Sequence, residues 1–583
     1  MALGEIISAT PATPAACNAL CAIFLFFCFC LASPRSRGRN KTKRYTALQA
    51  CRRGEGRLRK LYTRVSLRRV MLQCGVLSCT RVLRFAWRQS YRDLLPPAAT
   101  AAYVRGQLRP CDPCGGGGVP VVVESPSDAA GVYAFAAQPT ALAVRALCEV
   151  ARPAPPPSLT ERARALARLA AVLRENAALL ASADALVTGM CLRDARLSLS
   201  AALDFIAVCE QRLRTPQGEP TTTTTEDAVA VAVHAGEVLH SHGYGEGECH
   251  TDLHAGDAST GRASVALCMT AAHYPLQWGM EAVAIALLRG SAAVWLPSLE
   301  TPLSALWLMH LLHCGGRNVV ADPRAAVHII LCRSDEVVAA FMRQQEEGFS
   351  VVGLTNGFRE QQLYRLPQLL GAAPMSCDAG ASWMAGWHHR VMKPSLAMVG
   401  ASPCCTDTVA ARICQYAFHG NGRRLYALQI VFVPQQDILL VLRSVAQYVR
   451  GLRLGHSLDP TADMGPLPAA AHMAAMKDTV EAAVCCGEVK LQHVCGGFEV
   501  AMPAGYFCLP CAFYSSIANV TPAATEASLN AVLATTARLR GGLDRLGGGP
   551  FVIVCGYDPP QQGKVLENVL RDASSSSFAV HHW

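Results

Sequence analysis

The sequence predicts a two-part α/β protein built on parallel sheets, preceded by a basic extension. Three observations carry this reading. Apolar strands and amphipathic or apolar helices alternate over residues 263–331, and that alternation needs a parallel sheet covered on both faces. The pattern pauses and then restarts at residue 393. The chain has 583 residues, more than one hydrophobic core usually organises.

Composition sets the outer limits. Hydrophobic residues make up 51% and charged residues 16%, so most of the chain can bury enough apolar surface to fold. The net charge of +10 is unevenly spread. Residues 1–110 hold 20 Lys and Arg against Glu5, Glu55 and Asp93, a net +17 that leaves −7 for the rest. Basic-protein behaviour therefore belongs to the N-terminal arm alone. Its few aromatics (Tyr45, Tyr62, Trp87) are not interleaved as a base-stacking platform requires, so nucleic acid is not an expected partner. The 26 cysteines are scattered through apolar segments, which reads as reduced thiols in a cytosol-facing body.

In chain order, residues 15–32, AACNALCAIFLFFCFCLA, form an uncharged run at the short limit for a spanning helix. No basic residue precedes it and SPRSRGRNKTKR follows. That order argues against a cleavable signal and fits an anchor with its basic side in the cytosol. The competing reading is an upstream extension, with Met71 as the working start. A membrane contact through residues 15–32 and the basic arm, and a cytoplasmic or single-pass anchored location, are thus the expectations.

From Ser158 the helical signal is strong. Ser158 with Glu161 forms a capping box, and Leu166, Leu169, Leu173 and Leu180 follow at helical spacing. TPQGEPTTTTTED is a polar linker, and AVAVAVHA alternates as a strand. SVALCM, SAAVWL, NVV and VHIIL are strands, with helices at Leu276 to Arg289 and Thr301 to Cys314. Residues 345–392 are irregular, rich in Gly, Trp and His. Beyond them the pattern predicts helices near 405–419, 436–451 and 468–486 and a strand at 428–433. The expected domains are an extension at 1–110, a first α/β region at 111–392, a second at 393–540 and a return segment at 541–583.

Several collinear stretches resemble the aldehyde dehydrogenase superfamily. The most specific is LRLGHSLDPTADMGPL at 452–467, followed by GYFCLP at 505–510. LVTGMCLRDAR (186–196), AAHYPL (271–276), LPSLETPLSAL (296–306), LCRSDEV (331–337), VGASP (399–403) and FVIVCGYDPPQQGKVLENVLR (551–571) add to it. The resemblance implies a Rossmann-type cofactor domain plus an α/β catalytic domain, here with an N-terminal extension.

It also implies a chemistry: a thiolate adds to an aldehyde, hydride passes to a nicotinamide, and a carboxylate activates water to hydrolyse the thioester. An amide side chain helps hold the oxyanion. In FHGNGRRLYALQIVFV (418–433), Gly422 and Ala427 match the family's turn. The nucleophile position then falls on Leu425, the base on Ala397 and the oxyanion donor on His273. Neither Leu nor Ala can do the required work. The cofactor lysine falls on Leu296, the acidic residue of that motif is displaced to Leu299 beside Glu300, and a phosphate-loop glycine becomes Arg333. Pro297, Ser298 and Ser334 remain as weak cofactor contacts, so NAD(P) is the cofactor only if there is one. A segment that contacts the nicotinamide ribose is missing between residues 524 and 526, and the family's last strand is not matched. Oligomer assembly is therefore not expected, and no protein partner is named by the sequence.

Three readings of function follow. The first is a catalytically degenerate family member with an interaction or regulatory role. The second is an active NAD(P)-dependent aldehyde dehydrogenase with displaced catalytic residues, drawing on Cys404, Cys405 or Cys414. The third is an anion or small-molecule binder using Arg423 and Arg424, with His273 facing them. The competing reading of those arginines is that they snorkel to solvent. The cluster His240, His242, Cys249, His250, Asp252 and His254, and the pairs Cys111 with Cys114 and Cys508 with Cys511, are zinc-capable types. The cluster's spacing fits no standard site, the two pairs have CxxC spacing but read as buried or incidental thiols, and no metal is expected.

Overall fold

The computed structural model describes residues 91–96, 100–110, 118–151, 158–214, 264–288, 290–315, 327–343, 350–358, 387–391, 395–400, 405–424, 427–487, 489–500, 502, 504–517, 521–576 and 579–583. The run at 15–32, the basic arm, AVAVAVHA, NVV, the His240–His254 cluster, Cys111, Cys114, Cys404 and Leu425 lie outside these residues. Among the described residues, no helix is long and apolar enough to cross a membrane.

The first sheet has seven strands. A hairpin, β1 (Thr100–Val104) and β2 (Gln107–Pro110), forms one edge. The order continues through β7 (His328–Ile330), β6 (Ala292–Leu296), β5 (Ser264–Thr270), β8 (Ser350–Phe358) and β9 (Trp387–Val391). From β7 to β9 all pairings are parallel, while β1 is antiparallel to both of its neighbours. The order runs outward in both directions from β5, so the topological switch lies between β5 and β8.

Helix α1 (Thr140–Val150) packs on this sheet. Leu147 and Val144 join Val265, Leu267, Val294, Leu296 and Ile330 in one core. Three further helices follow: α2 (Leu159–Glu175), α3 (Ala177–Thr188) and α4 (Leu192–Arg214). Both halves of the capping box form at the start of α2, between Ser158 and Glu161. The predicted stripe of Leu166, Leu169 and Leu173 is fully buried. Helix α5 (Pro275–Leu288) follows β5, α6 (Leu303–Gly315) follows β6, and α7 (Ser334–Arg343) follows β7.

A two-stranded hairpin, β3 (Val119–Ser125) with β4 (Ala130–Ala137), stands apart from the sheets. Tyr506 N donates to Pro126 O, and Ser457 N to Ser127 Oγ, so the hairpin turn is tied to the loops that carry GHSLDP and GYFCLP.

The second sheet has six strands in the order β12-β13-β14-β11-β10-β15. These are β10 (Ser395–Met398), β11 (Leu428–Pro434), β12 (Gln492–Gly497), β13 (Leu509–Ser516), β14 (Phe551–Tyr557) and β15 (Ala579–His582). Only the β12–β13 pair is antiparallel. Successive residues of a strand face opposite sides, and both sides here are apolar. Leu396, Met398, Ile430, Phe432 and Ile553 face a layer that includes α10 (Ala470–Val484), α11 (Pro522–Arg545) and α12 (Pro559–Ser576). Ala397, Val399, Val431, Val433 and Val554 face α8 (Thr406–Phe418) and α9 (Ile438–Gly451).

Three sequence expectations need correction. Residues 100–110 are not part of the extension, because β1 and β2 complete the edge of the first sheet. Residues 345–392 are not wholly irregular: they contain β8 and β9. The signal was hidden because Gly353, Asn356 and Gly357 interrupt β8, and β9 reads WHHRV with no apolar alternation. Residues 541–583 are not a separate return segment, since β14 lies inside the second sheet and β15 pairs with β10.

His328 opens β7 and is buried, and its Nδ1 accepts the Arg105 amide at 3.1 Å. Burial, then the nearby Arg105 charge, pulls its pKa from 6.5 down to about 4. The unfolded chain therefore binds this proton more readily. The stabilising contribution is complete above about pH 6.5 and is lost as pH falls towards 4. A shift of this size corresponds to about 3 kcal/mol. Urea midpoints at pH 7 and pH 4.5 should show that decline. His328→Asn, which keeps an acceptor for Arg105, should show a shallower one.

Candidate functional site

The two sheets meet at the turn between α8 and β11. Gly420, Asn421 and Gly422 all have left-handed backbones, with φ of 60°, 60° and 65°. Glycine is required at both ends: a Cβ on Gly420 would run into the Tyr274 hydroxyl, and one on Gly422 into the Gly549 carbonyl. Asn421 tolerates the conformation through its side chain, whose Nδ2 donates to Gly189 O at 3.2 Å and to Pro466 O at 2.7 Å. Gly420 N donates to the buried Asp194 carboxylate at 2.8 Å. The turn is thus anchored to the α3–α4 corner, to the start of α4 and to the end of the GHSLDPTADMGPL loop.

This anchoring aims Arg423 inward. The side chain is buried, with 4% of the residue exposed. Its Nη2 makes a long 3.5 Å bond to Leu546 O, and its buried Nε has no hydrogen-bond partner. Among the described residues no carboxylate pairs with it directly. Burial pulls its pKa down to about 10, against the opposing influence of Glu300 and Tyr274. Arg424 is only half-buried. The snorkelling reading therefore fails for Arg423.

Two histidines share this space. His472, at the start of α10, donates from Nε2 to the same Leu546 carbonyl at 2.8 Å. Burial, then the Arg423 charge, pulls its pKa down to about 3, so it is neutral. His273 is buried in the β5–α5 turn, at the carboxyl end of the switch-point strand. A Cβ on Gly547 would lie 3.0 Å from His273 Nδ1 and 3.5 Å from Arg423 Nη2, so His273 and Arg423 flank one glycine. Tyr274 and Trp278 pack edge-on to His273 at 6.3 and 6.2 Å between ring centroids. Tyr274 itself is held at φ 51°, and burial pushes its hydroxyl pKa up to about 12. A left-handed aromatic residue is strained by about 1–3 kcal/mol.

The structure brings together two of the sequence-derived positions, His273 and Arg423, with Arg424 beside them. It does not bring Ala397. That residue is fully buried in the apolar layer of Val409, Ile413 and Val431, and a carboxylate there would enter a core rather than meet a substrate. The family position of the base thus carries a core alanine here. Sequence reasoning missed His472, Asn421 and Asp194. His472 was visible only as a lone histidine in an alanine-rich helix, and nothing local links it to residue 423.

Among the described residues, no displaced thiol stands in the pocket. Cys405 is exposed at the start of α8, and the thirteen residues of that helix put it about 20 Å from the turn. Cys414 is buried in the α8 core, and burial pushes its thiol up. Cys191, near Gly189, is pushed up to about 12 by burial and then by Asp194. Cys508 and Cys511 are buried with raised thiols, and no group of His, Cys, Asp and Glu among the described residues is arranged to hold a metal.

A dinucleotide fits poorly. Leu296 is buried in the first core and extends no charge towards a ribose or phosphate. Pro297 is buried beside it, and the Ser298 hydroxyl is engaged by the Glu300 amide. The α7 N-terminus, where Ser334 stands, carries Asp335 and Glu336, and Arg333 pairs with Glu336 at 3.0 Å. Carboxylates at a helix N-terminus repel the phosphates that such a terminus otherwise attracts. The missing segment near residue 525 leaves no excursion, because α11 runs unbroken through it.

The model of the aldehyde dehydrogenase family matches residues 397–527, a stretch that contains both GHSLDPTADMGPL and GYFCLP. No curated protein matches by sequence. Solved structures match over most of the chain. An aldehyde dehydrogenase C variant of Pseudomonas syringae, solved with NAD+ and octanal, is 18% identical with a TM-score of 0.58, over 84% of this chain and 90% of that one. Lactaldehyde dehydrogenase of Escherichia coli is 15% identical with a TM-score of 0.57, over 83% and 90%. An NAD+ complex of an aldehyde dehydrogenase of Bacillus cereus is 16% identical with a TM-score of 0.59, over 84% and 85%. The fold is that of the aldehyde dehydrogenases.

The pocket geometry sets a stability test in chloride buffer. Arg423→Met removes a buried cation that lacks an ion pair and should raise the urea midpoint by the equivalent of about 1–3 kcal/mol. Asn421→Ala orphans two carbonyls and should lower it by about 2–3 kcal/mol. A lower midpoint for Arg423→Met would mean that a protein partner holds the guanidinium.

Proposed function

We propose that this chain, a divergent member of the aldehyde dehydrogenase superfamily, no longer oxidises aldehydes and serves an interaction or regulatory role. One observation carries the reading. The buried Arg423 guanidinium shares the Leu546 carbonyl with His472 and flanks Gly547 with His273, and the next positions, where the resemblance puts the thiolate, are Arg424 and Leu425. Leucine cannot add to a carbonyl, and at the positions that would hold a dinucleotide Leu296 is apolar and Arg333 is paired with Glu336.

Purified protein should reduce neither NAD nor NADP with short, long or aromatic aldehydes, followed by nicotinamide absorbance. Turnover that disappears on replacing Cys404, Cys405 or Cys414 would instead establish an enzyme with a relocated nucleophile.

A second reading is favoured by the unpartnered Nε of Arg423. A buried guanidinium with no ion pair is relieved by an anion, and Arg424 and the Tyr274 hydroxyl stand beside it. Carboxylates or phosphates should then raise the melting temperature in proportion to the logarithm of concentration above Kd. The joint Arg423→Ala, Arg424→Ala variant should lose the response. A wild-type melting temperature that ignores every such anion would sink this reading and leave the first intact.

A further inference from the structure

Further along the same two helices that carry His472 and lead to Leu546, α10 and α11 bound a cleft of about 670 Å³. Ala475, Asp478, Thr479, Ala482 and the adjacent Cys485 and Cys486 form its α10 wall, and Arg538, Leu539 and Gly542 its α11 wall. The α10 positions recur at three- and four-residue spacing, so they form one stripe. Ala475, Ala482 and Gly542 are small, and the two helices therefore leave room between them. Cys485 is exposed and Cys486 half-buried, and neither is in a disulfide. The Arg538 Nη2 donates to the Cys486 sulfur at 3.6 Å.

We propose that this cleft is a thiol-modification site that takes a small zwitterionic disulfide of the glutathione type, with Cys486 as the sulfur that becomes joined. The chemistry is thiol–disulfide exchange. The Cys486 thiolate attacks one sulfur of the disulfide, a new S–S bond forms to that sulfur, and the original S–S bond breaks. The other half departs as a thiolate and takes up the proton that Cys486 released. The protein thiol is oxidised and one half of the small disulfide is reduced, so atoms and electrons balance without a further oxidant.

Two features favour a lasting mixed disulfide over a bond between the two protein cysteines. Adjacent Cα atoms stand about 3.8 Å apart across a trans peptide, below the roughly 4.4–6.8 Å that disulfides span. Cys485 is thus a poor resolving partner for its neighbour. The walls also carry the charges a glutathionyl group needs: Arg538 for a carboxylate beside the joined sulfur, and Asp478 for an ammonium about two turns along the cleft.

The test treats the reduced full chain with oxidised glutathione or with the uncharged 2-hydroxyethyl disulfide. Adducts are mapped by peptide mass spectrometry over time. With oxidised glutathione, Cys486 should be modified about tenfold faster than the exposed Cys148 and Cys314. Arg538→Ala should slow that reaction about tenfold, leave the uncharged reagent's rate unchanged, and be partly rescued by Arg538→Lys. Cys485→Ser should retain the Cys486 adduct. Equal labelling of all three cysteines, an Arg538→Ala variant that slows both reagents alike or neither, or a Cys485–Cys486 disulfide as the main product would each overturn the proposal.

Discussion

The junction of the two sheets depends on the Asn421 side chain. Its amide donates to carbonyls from two separate segments, Gly189 at the α3–α4 corner and Pro466 at the end of the long loop. Three consecutive left-handed residues are tolerable because those bonds, and the Asp194 bond to Gly420 N, over-determine the turn. With the backbone fixed on both sides, the residue that follows has no choice of direction. Arg423 is buried because the turn points it inward, not because the interior wants a cation.

That cation then organises its surroundings. It depresses the pKa of His472, shares the Leu546 carbonyl with it, and shares the Gly547 environment with His273. A neutral His472 beside a charged Arg423 is the arrangement of least mutual repulsion, and burial acts in the same direction. The core beneath is indifferent to this. Both faces of the second sheet close on aliphatic and aromatic side chains.

Much of the fold was legible because burial writes a period into sequence. Strands buried on both faces, such as LQIVFVP, read as continuous apolar runs, and helices such as α2 show both their cap and their stripe. Where that period breaks, legibility ends. WHHRV and SVVGLTNGF are strands by virtue of their neighbours, through parallel pairing that no local pattern announces. The same limit applies at Ala397: the motif gives a place along the chain, and only the packing of β10 shows that Leu396 and Met398 face one layer and Ala397 the other.

The site was half legible for a related reason. Residues within the glycine turn, and His273 in AAHYPL, could be found because they interrupt recognisable motifs. His472 could not, since its approach to Arg423 is set by how α10 packs on the second sheet, some fifty residues away along the chain. Distance in sequence also hid the α10–α11 cleft. Its two thiols are visible as a dipeptide, but the arginine that faces them comes from another helix, and only the packing of small residues between those helices leaves space for anything to bind there.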